Sequence, residues 1–308
     1  MTKNNFLIII VVTISLLINI ALAAKLNLFD GLNFLKKETP AVITTKGDNS
    51  ELFEEINPTS GYQINASFDD LGPKMIKSGV IDLEKFKSVY AKSNQPLTTE
   101  QEKILTEGST DKIKIDRENS YFLLNFFWAV GLNNKSKILD EGDIMKYGGL
   151  KGAGDFASTG GWSLARGATM NYYSKASLIP LTAEQEKLVE KVSSNIFRPC
   201  CNNSTAFPDC NHGMALLGVL QLMAGNGATE YEMYTASKYF NAFWFPGNYY
   251  DLALYFKNKE DIKFSDIDAK LLLGKDYSSA TGAQSIKQWL SQQGLVEEPP
   301  KTGGGCGV

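Results

Sequence analysis

Histidine and cysteine are scarce in this chain of 308 residues: there is one histidine, His212, and there are four cysteines. A single imidazole leaves a Ser/His/Asp or Cys/His device only His212 as its base. Cys210 stands two residues before it, a spacing at which side chains seldom meet on a helix start. No Cys-x-x-Cys pair occurs, so the usual zinc knuckle and the usual thiol-redox motif are both missing. No Gly-Lys-Ser/Thr is present and no convincing strand precedes the one glycine-rich stretch, so both nucleotide-loop templates fail. No nucleotide, haem or flavin is expected. There is no basic stripe with interleaved aromatics and the formal net charge is -3, so nucleic acid is not an expected partner. No cysteine follows the N-terminal apolar run closely, which argues against a lipoprotein anchor.

That run is the first feature present. Residues 6–24 are almost unbroken apolar sequence behind Lys3, long enough to cross a bilayer, with Thr13, Ser15 and Asn19 as interruptions. Ala21-Leu22-Ala23 also fits a small-residue cleavage site. Residues 1–24 are therefore expected to be a transmembrane anchor or a signal segment. The protein would be membrane-anchored through residues 6–24, or secreted if cut after Ala23. Lys25, Lys36 and Lys37 follow the run, against the positive-inside tendency. The five-residue tail before the run favours an extracytoplasmic body all the same. Residues 25–66 are polar with little periodicity and read as a spacer.

From residue 67 to 296 the pattern is that of a mainly α, multi-helix bundle-like body. Residues 69–77 and 82–92 are short amphipathic segments on either side of Ser78-Gly79. Thr98 with Gln101 makes a capping box before a helix that Gly108 would stop, and Thr182 with Gln185 repeats the phrase. Two independent good caps explain the repeat better than a duplication does. Residues 112–116 alternate like a short strand. Residues 118–132 are apolar and aromatic on every face, which predicts a buried central helix. Residues 148–161 form a glycine-rich loop with a degenerate Gly-x-Gly-x-x-Ala at Gly152, Gly154 and Ala157, expected to pack backbone against the site described next. Further helices are predicted over 182–197, 213–224, 229–243 (capped by Thr229 with Glu232), 248–256, 266–273 and 279–293. Residues 297–308 are a flexible, Gly-rich tail carrying Cys306.

The chemistry concentrates in residues 198–214, Arg-Pro-Cys-Cys-Asn-Asn-Ser-Thr-Ala-Phe-Pro-Asp-Cys-Asn-His-Gly-Met. This loop holds Cys200, Cys201, Cys210 and His212 and ends at a helix start, where partial positive charge lowers a thiol pKa. Thiolate and neutral imidazole are metal-binding forms. A set of three thiols and one imidazole suits Zn(II), and its sulfur also suits Cu(I). Cys306 on its flexible arm and Met214 are further possible donors. Two other readings stand beside the metal site. One is extracytoplasmic thiol–disulfide oxidoreductase chemistry, with Cys210 as the activated thiolate and Cys200 or Cys201 as its resolving partner. The other is an interaction protein whose loop is pinned by a structural disulfide. Asp209 or Asn211 is expected to cap the following helix, and Pro199 and Pro208 stiffen the two arms of the loop. No reaction follows, so whether the chain is an enzyme stays open, as does any protein partner.

Two resemblances accompany this reading. Phe197-Arg198-Pro199-Cys200-Cys201, the segment 227–233 and Phe243-Trp244-Phe245-Pro246 are similar in outline to the cytochrome c maturation thiol-reductase family. That family has Cys-x-x-Cys where this chain has adjacent cysteines, so no catalytic residue carries over. The phrases Leu124-Asn125-Phe126-Phe127-Trp128-Ala129, Ala157-Ser158-Thr159-Gly160-Gly161-Trp162, Arg198-Pro199-Cys200-Cys201-Asn202-Asn203 and 207–214 extend over most of the body. With the terminal Gly-Gly-x-Cys-Gly-Val, they resemble a group of membrane-anchored bacterial proteins. That resemblance implies a typical member and supplies no reaction.

Overall fold

Two helices with apolar residues on every side, Ser120–Asn133 and Asn211–Gly225, lie against each other at the centre of the body. Both appear in a computed structural model that describes residues 46–296. Helices of this composition must be covered all round, and nearly every residue of both is buried. Their backbones approach closely because glycine stands on both sides of the crossing. A Cβ on Gly131 would sit 2.0 Å from the Met214 carbonyl oxygen, and one on Gly218 would sit 2.5 Å from that of Phe127.

In chain order the elements are α1 (Lys46–Ile56), β1 (Tyr62–Asp69), α2 (Leu71–Ser78), α3 (Leu83–Lys92), α4 (Thr99–Thr106), β2 (Ser109–Ile115) and the central α5 (Ser120–Asn133). Short helices α6 (Lys137–Asp140) and α7 (Gly149–Ala153) lead to α8 (Ala183–Ser193) and the central α9 (Asn211–Gly225). The body closes with α10 (Glu230–Trp244), α11 (Pro246–Glu260), α12 (Ala269–Leu272), α13 (Lys275–Ser278) and α14 (Ala280–Gln293). β1 and β2 pair antiparallel, Tyr62 opposite Ile115 and Asp69 opposite Ser109. The mainly helical class expected from the periodicity is what the chain adopts, with this one small sheet.

Local signals hold at the helix starts. Thr98, Thr182 and Thr229 each accept a hydrogen bond from the third helical residue, and the side chains of Gln101, Gln185 and Glu232 each accept one from the cap residue's N–H.

The spacer expected over 25–66 needs correction in its described part. Residues 46–56 are helix α1, which buries Leu52, Phe53 and Ile56, and β1 begins at Tyr62 and buries Ile64, Ala66 and Phe68. The polar residues around them face out, so a chain that looks hydrophilic on average still has an apolar face. The apolar run at 6–24, the remainder of the spacer and the tail thiol Cys306 lie outside the described residues. Among the described residues no helix is long and apolar enough to cross a membrane.

Candidate metal centre

The loop between α8 and α9 is held in place by elements remote in sequence. Phe197 donates its N–H to the Leu273 carbonyl at 2.8 Å, and Asn241 Nδ2 bonds the Phe197 carbonyl at 3.1 Å. Ala280, the first residue of α14, donates to the Cys201 carbonyl at 2.9 Å. Thr281 donates from both backbone and hydroxyl to Asn202 Oδ1, each at 2.9 Å. On its other arm, Asp209 accepts at its carbonyl from the Ser158 N–H at 3.2 Å, and Phe207 packs edge-on against Phe156. The glycine-rich segment therefore meets the loop as expected, at Phe207 and Asp209.

This path brings three thiols together. The Sγ atoms of Cys200, Cys201 and Cys210 all lie within 4.8 Å of one another, and those of Cys200 and Cys210 are 3.4 Å apart. An ion held tetrahedrally at ~2.3 Å from sulfur separates its sulfurs by about 3.8 Å, so the three thiols are spaced as ligands of one ion would be. They form a set that can hold a metal ion. All three are free thiols, with Cys200 the exposed one.

At the base of the cluster is a residue with no role in the sequence reading. Arg198 is fully buried, and its guanidinium donates through Nε to Cys210 Sγ at 3.2 Å and through Nη2 to Cys201 Sγ at 3.1 Å. Nη2 also meets Asp209 Oδ1 at 3.1 Å, and Nη1 reaches Thr205 Oγ1 at 3.2 Å. Gly213 makes room for this fork: a Cβ there would lie 2.7 Å from Arg198 Cζ. Burial opposes the Arg198 charge, but the three cysteines beside it hold it firmly protonated. The signal for Arg198 was its place two residues before Cys200. What the sequence did not show is that the side chain turns inward.

Asp209 and Asn211 do not cap α9 as expected. Cys210 is the cap residue, its Sγ accepting the Gly213 N–H at 3.3 Å. Asp209 is occupied by Arg198 and by Asn203 Nδ2, the latter at 2.8 Å. Hydrogen bonds from Cys200 and Cys201 lower the Cys210 pKa well below the ordinary thiol value, against burial, and Arg198 and His212 lower it further. Cys200 is pushed up, chiefly because it supplies hydrogen bonds to the other two sulfurs. Cys201 is also raised: its bond from Cys200 lowers it, but its bond to Cys210 and its burial outweigh that. Cys210, at the helix N-terminus and beside the guanidinium, is therefore the most acidic of the three thiols.

His212 is placed differently from the three thiols. Only 2% exposed, its ring lies against Phe245 with centroids 4.3 Å apart and edge-on to Trp244 at 5.9 Å. It is not part of the mutually close ligand set, although its Nδ1 is buried without a hydrogen-bond partner. Met214 is buried on α9, where its carbonyl faces Gly131 of α5. Of the expected ligand set, three sulfurs converge and the imidazole stands behind them.

No family model, curated protein or solved structure matches the chain. The donor set itself therefore carries the functional argument.

Proposed function

We propose that the protein binds a soft or borderline metal ion, Zn(II) or Cu(I), through Cys200, Cys201 and Cys210. The observation that carries this reading is the mutual approach of three free thiols within 4.8 Å, in a loop whose first arm is fixed by Leu273 and α14 and whose second arm is fixed by Ser158. Thiolate sulfur is the donor that selects such ions over hard cations. Arg198 supports the site from below, since its N–H···S bonds orient two of the sulfurs and offset part of their charge. We further propose that residues 6–24 tether the body at a membrane, on its extracytoplasmic side. On the phrases quoted above, we group the chain with membrane-anchored bacterial proteins that share them.

The test is a Cd(II) titration of the reduced full-length chain, followed by its thiolate-to-metal absorption. Saturation near one ion per chain is expected, lost in Cys210→Ser and in Cys201→Ser. His212→Ala should weaken binding less than either serine variant does. Equal loss in His212→Ala would place the imidazole among the ligands, and absence of any charge-transfer absorption would overturn the proposal.

A second reading rests on one specific distance. The 3.4 Å approach of Cys200 and Cys210 suits thiol–disulfide chemistry as well as shared ligation. The two chemistries need not exclude each other.

A further inference from the structure

The three ligand thiols are not equivalent. Cys200 is exposed, and its sulfur touches that of Cys210 at 3.4 Å. Cys201, within reach of both, is also held by Arg198 Nη2 at 3.1 Å and lies 3.5 Å from Asp209 Oδ1. The Cys201 carbonyl accepts from the Ala280 N–H, and the side chain of the next residue, Asn202, accepts from Thr281. One pair of sulfurs is thus placed to bond to each other, with one member open to solvent, while the third is tied into the Arg198–Asp209 fork.

From this asymmetry we propose that the metal site is redox-gated: an external disulfide converts Cys200 and Cys210 into an intramolecular disulfide and so releases the ion. The inference rests on the metal-binding reading above. The step balances without any further reagent. The sulfur of the exposed Cys200, a thiolate while it ligates the ion, attacks the external disulfide, forming a mixed disulfide and expelling one thiolate. Cys210 then attacks the Cys200 sulfur, closing the internal bond and expelling the second thiolate. The two ligating thiolates lose two electrons to the external disulfide, whose two expelled thiolates take protons from solvent and leave as thiols. Two of the three sulfur donors are consumed, and an ion left on Cys201 alone is no longer chelated. The oxidant is a dialkyl or protein disulfide, the class found in an oxidising extracytoplasmic compartment. Reduction restores the pair and the site, so one loop serves as an ion holder under reducing conditions and lets go under oxidising ones.

Arg198 keeps the remaining thiol in its place during this exchange. Its fork also contacts Asp209 and Thr205, which the oxidation does not touch, so the loop can return to the same three-sulfur arrangement.

The experiment uses the full-length chain carrying Cys306→Ser, so that only the three loop thiols are titratable. The reduced, Zn(II)-loaded protein is treated with a small dialkyl disulfide, and bound metal, free thiols and disulfide-linked peptides are measured in parallel. The expected result is release of the ion together with loss of two thiols, a Cys200–Cys210 linkage in the peptide map, and recovery of both after reduction and re-addition of Zn(II). In Cys200→Ser, a ligand-deficient variant, the thiol count should show no internal disulfide. Retention of metal after two thiols are lost would overturn the gate, as would a linkage between Cys200 and Cys201. If the reduced protein fails to take up Zn(II) or Cu(I) at all, the metal-binding reading falls first, a result distinct from metal that binds and is not released.

Discussion

At the scale of single residues, the site depends on Arg198 as much as on its cysteines. A buried guanidinium requires partners that carry or share negative charge. Here those partners are two cysteine sulfurs and Asp209. Gly213 permits the arrangement by lacking a Cβ where the fork passes. Cys210 is acidified by hydrogen bonds from its two fellow thiols and, after them, by Arg198. In the reduced, metal-free chain, the pH profile of Cys210 alkylation by iodoacetamide should have its midpoint below the ordinary thiol value of ~8.5. An acid with a depressed pKa stays ionised down to the lower value, so reactivity should persist below the ordinary thiol value and fall only as the pH passes through the depressed one. Arg198→Met should move the midpoint upward, read by site-resolved mass spectrometry. An unchanged midpoint would mean that Arg198 positions the sulfurs without acting on their charge.

At the scale of elements, the signals readable in the sequence were the local ones. Thr98, Thr182 and Thr229 announced three helix starts because a capping box is made within four residues. The apolar run at 118–132 announced α5 because a helix without a polar face must be buried. α1 was missed because only Leu52, Phe53 and Ile56 show its inner face amid polar neighbours. β1 was missed although Tyr62, Ile64, Ala66 and Phe68 alternate, because its partner β2 comes some forty residues later and the pairing is not a local property. The closeness of α5 and α9 rests on Gly131 and Gly218, whose small size the sequence shows without saying what they face. Gly218→Ala puts a methyl against the Phe127 carbonyl and should destabilise the body by roughly 1–3 kcal/mol, the usual range for overpacking. A urea melt of the full chain checks this. An unchanged midpoint would show that the two helices can separate without loss.

At the scale of the whole molecule, the body is a helical scaffold that presents one chemically distinct loop. The sequence brought Cys200, Cys201, Cys210 and His212 to attention because they crowd into thirteen residues. It could not tell which of them converge, since that is decided by contacts to Leu273, Asn241, Ala280 and Thr281, some forty to eighty residues away along the chain. Those contacts hold the first arm, and Ser158 holds the second at Asp209, so that the sulfurs meet while the imidazole lies against Phe245 and Trp244. Three sulfurs over a buried guanidinium, at a helix N-terminus, make a cluster that can hold a metal ion.

The most direct test of this account is the metal content of the full-length chain, purified with its thiols reduced. The account predicts about one equivalent of Zn or Cu per chain, with the Cys201 and Cys210 thiols shielded from alkylation until a chelator removes the ion. A reduced chain that carries no metal, takes none up, and leaves all three thiols freely reactive would contradict it.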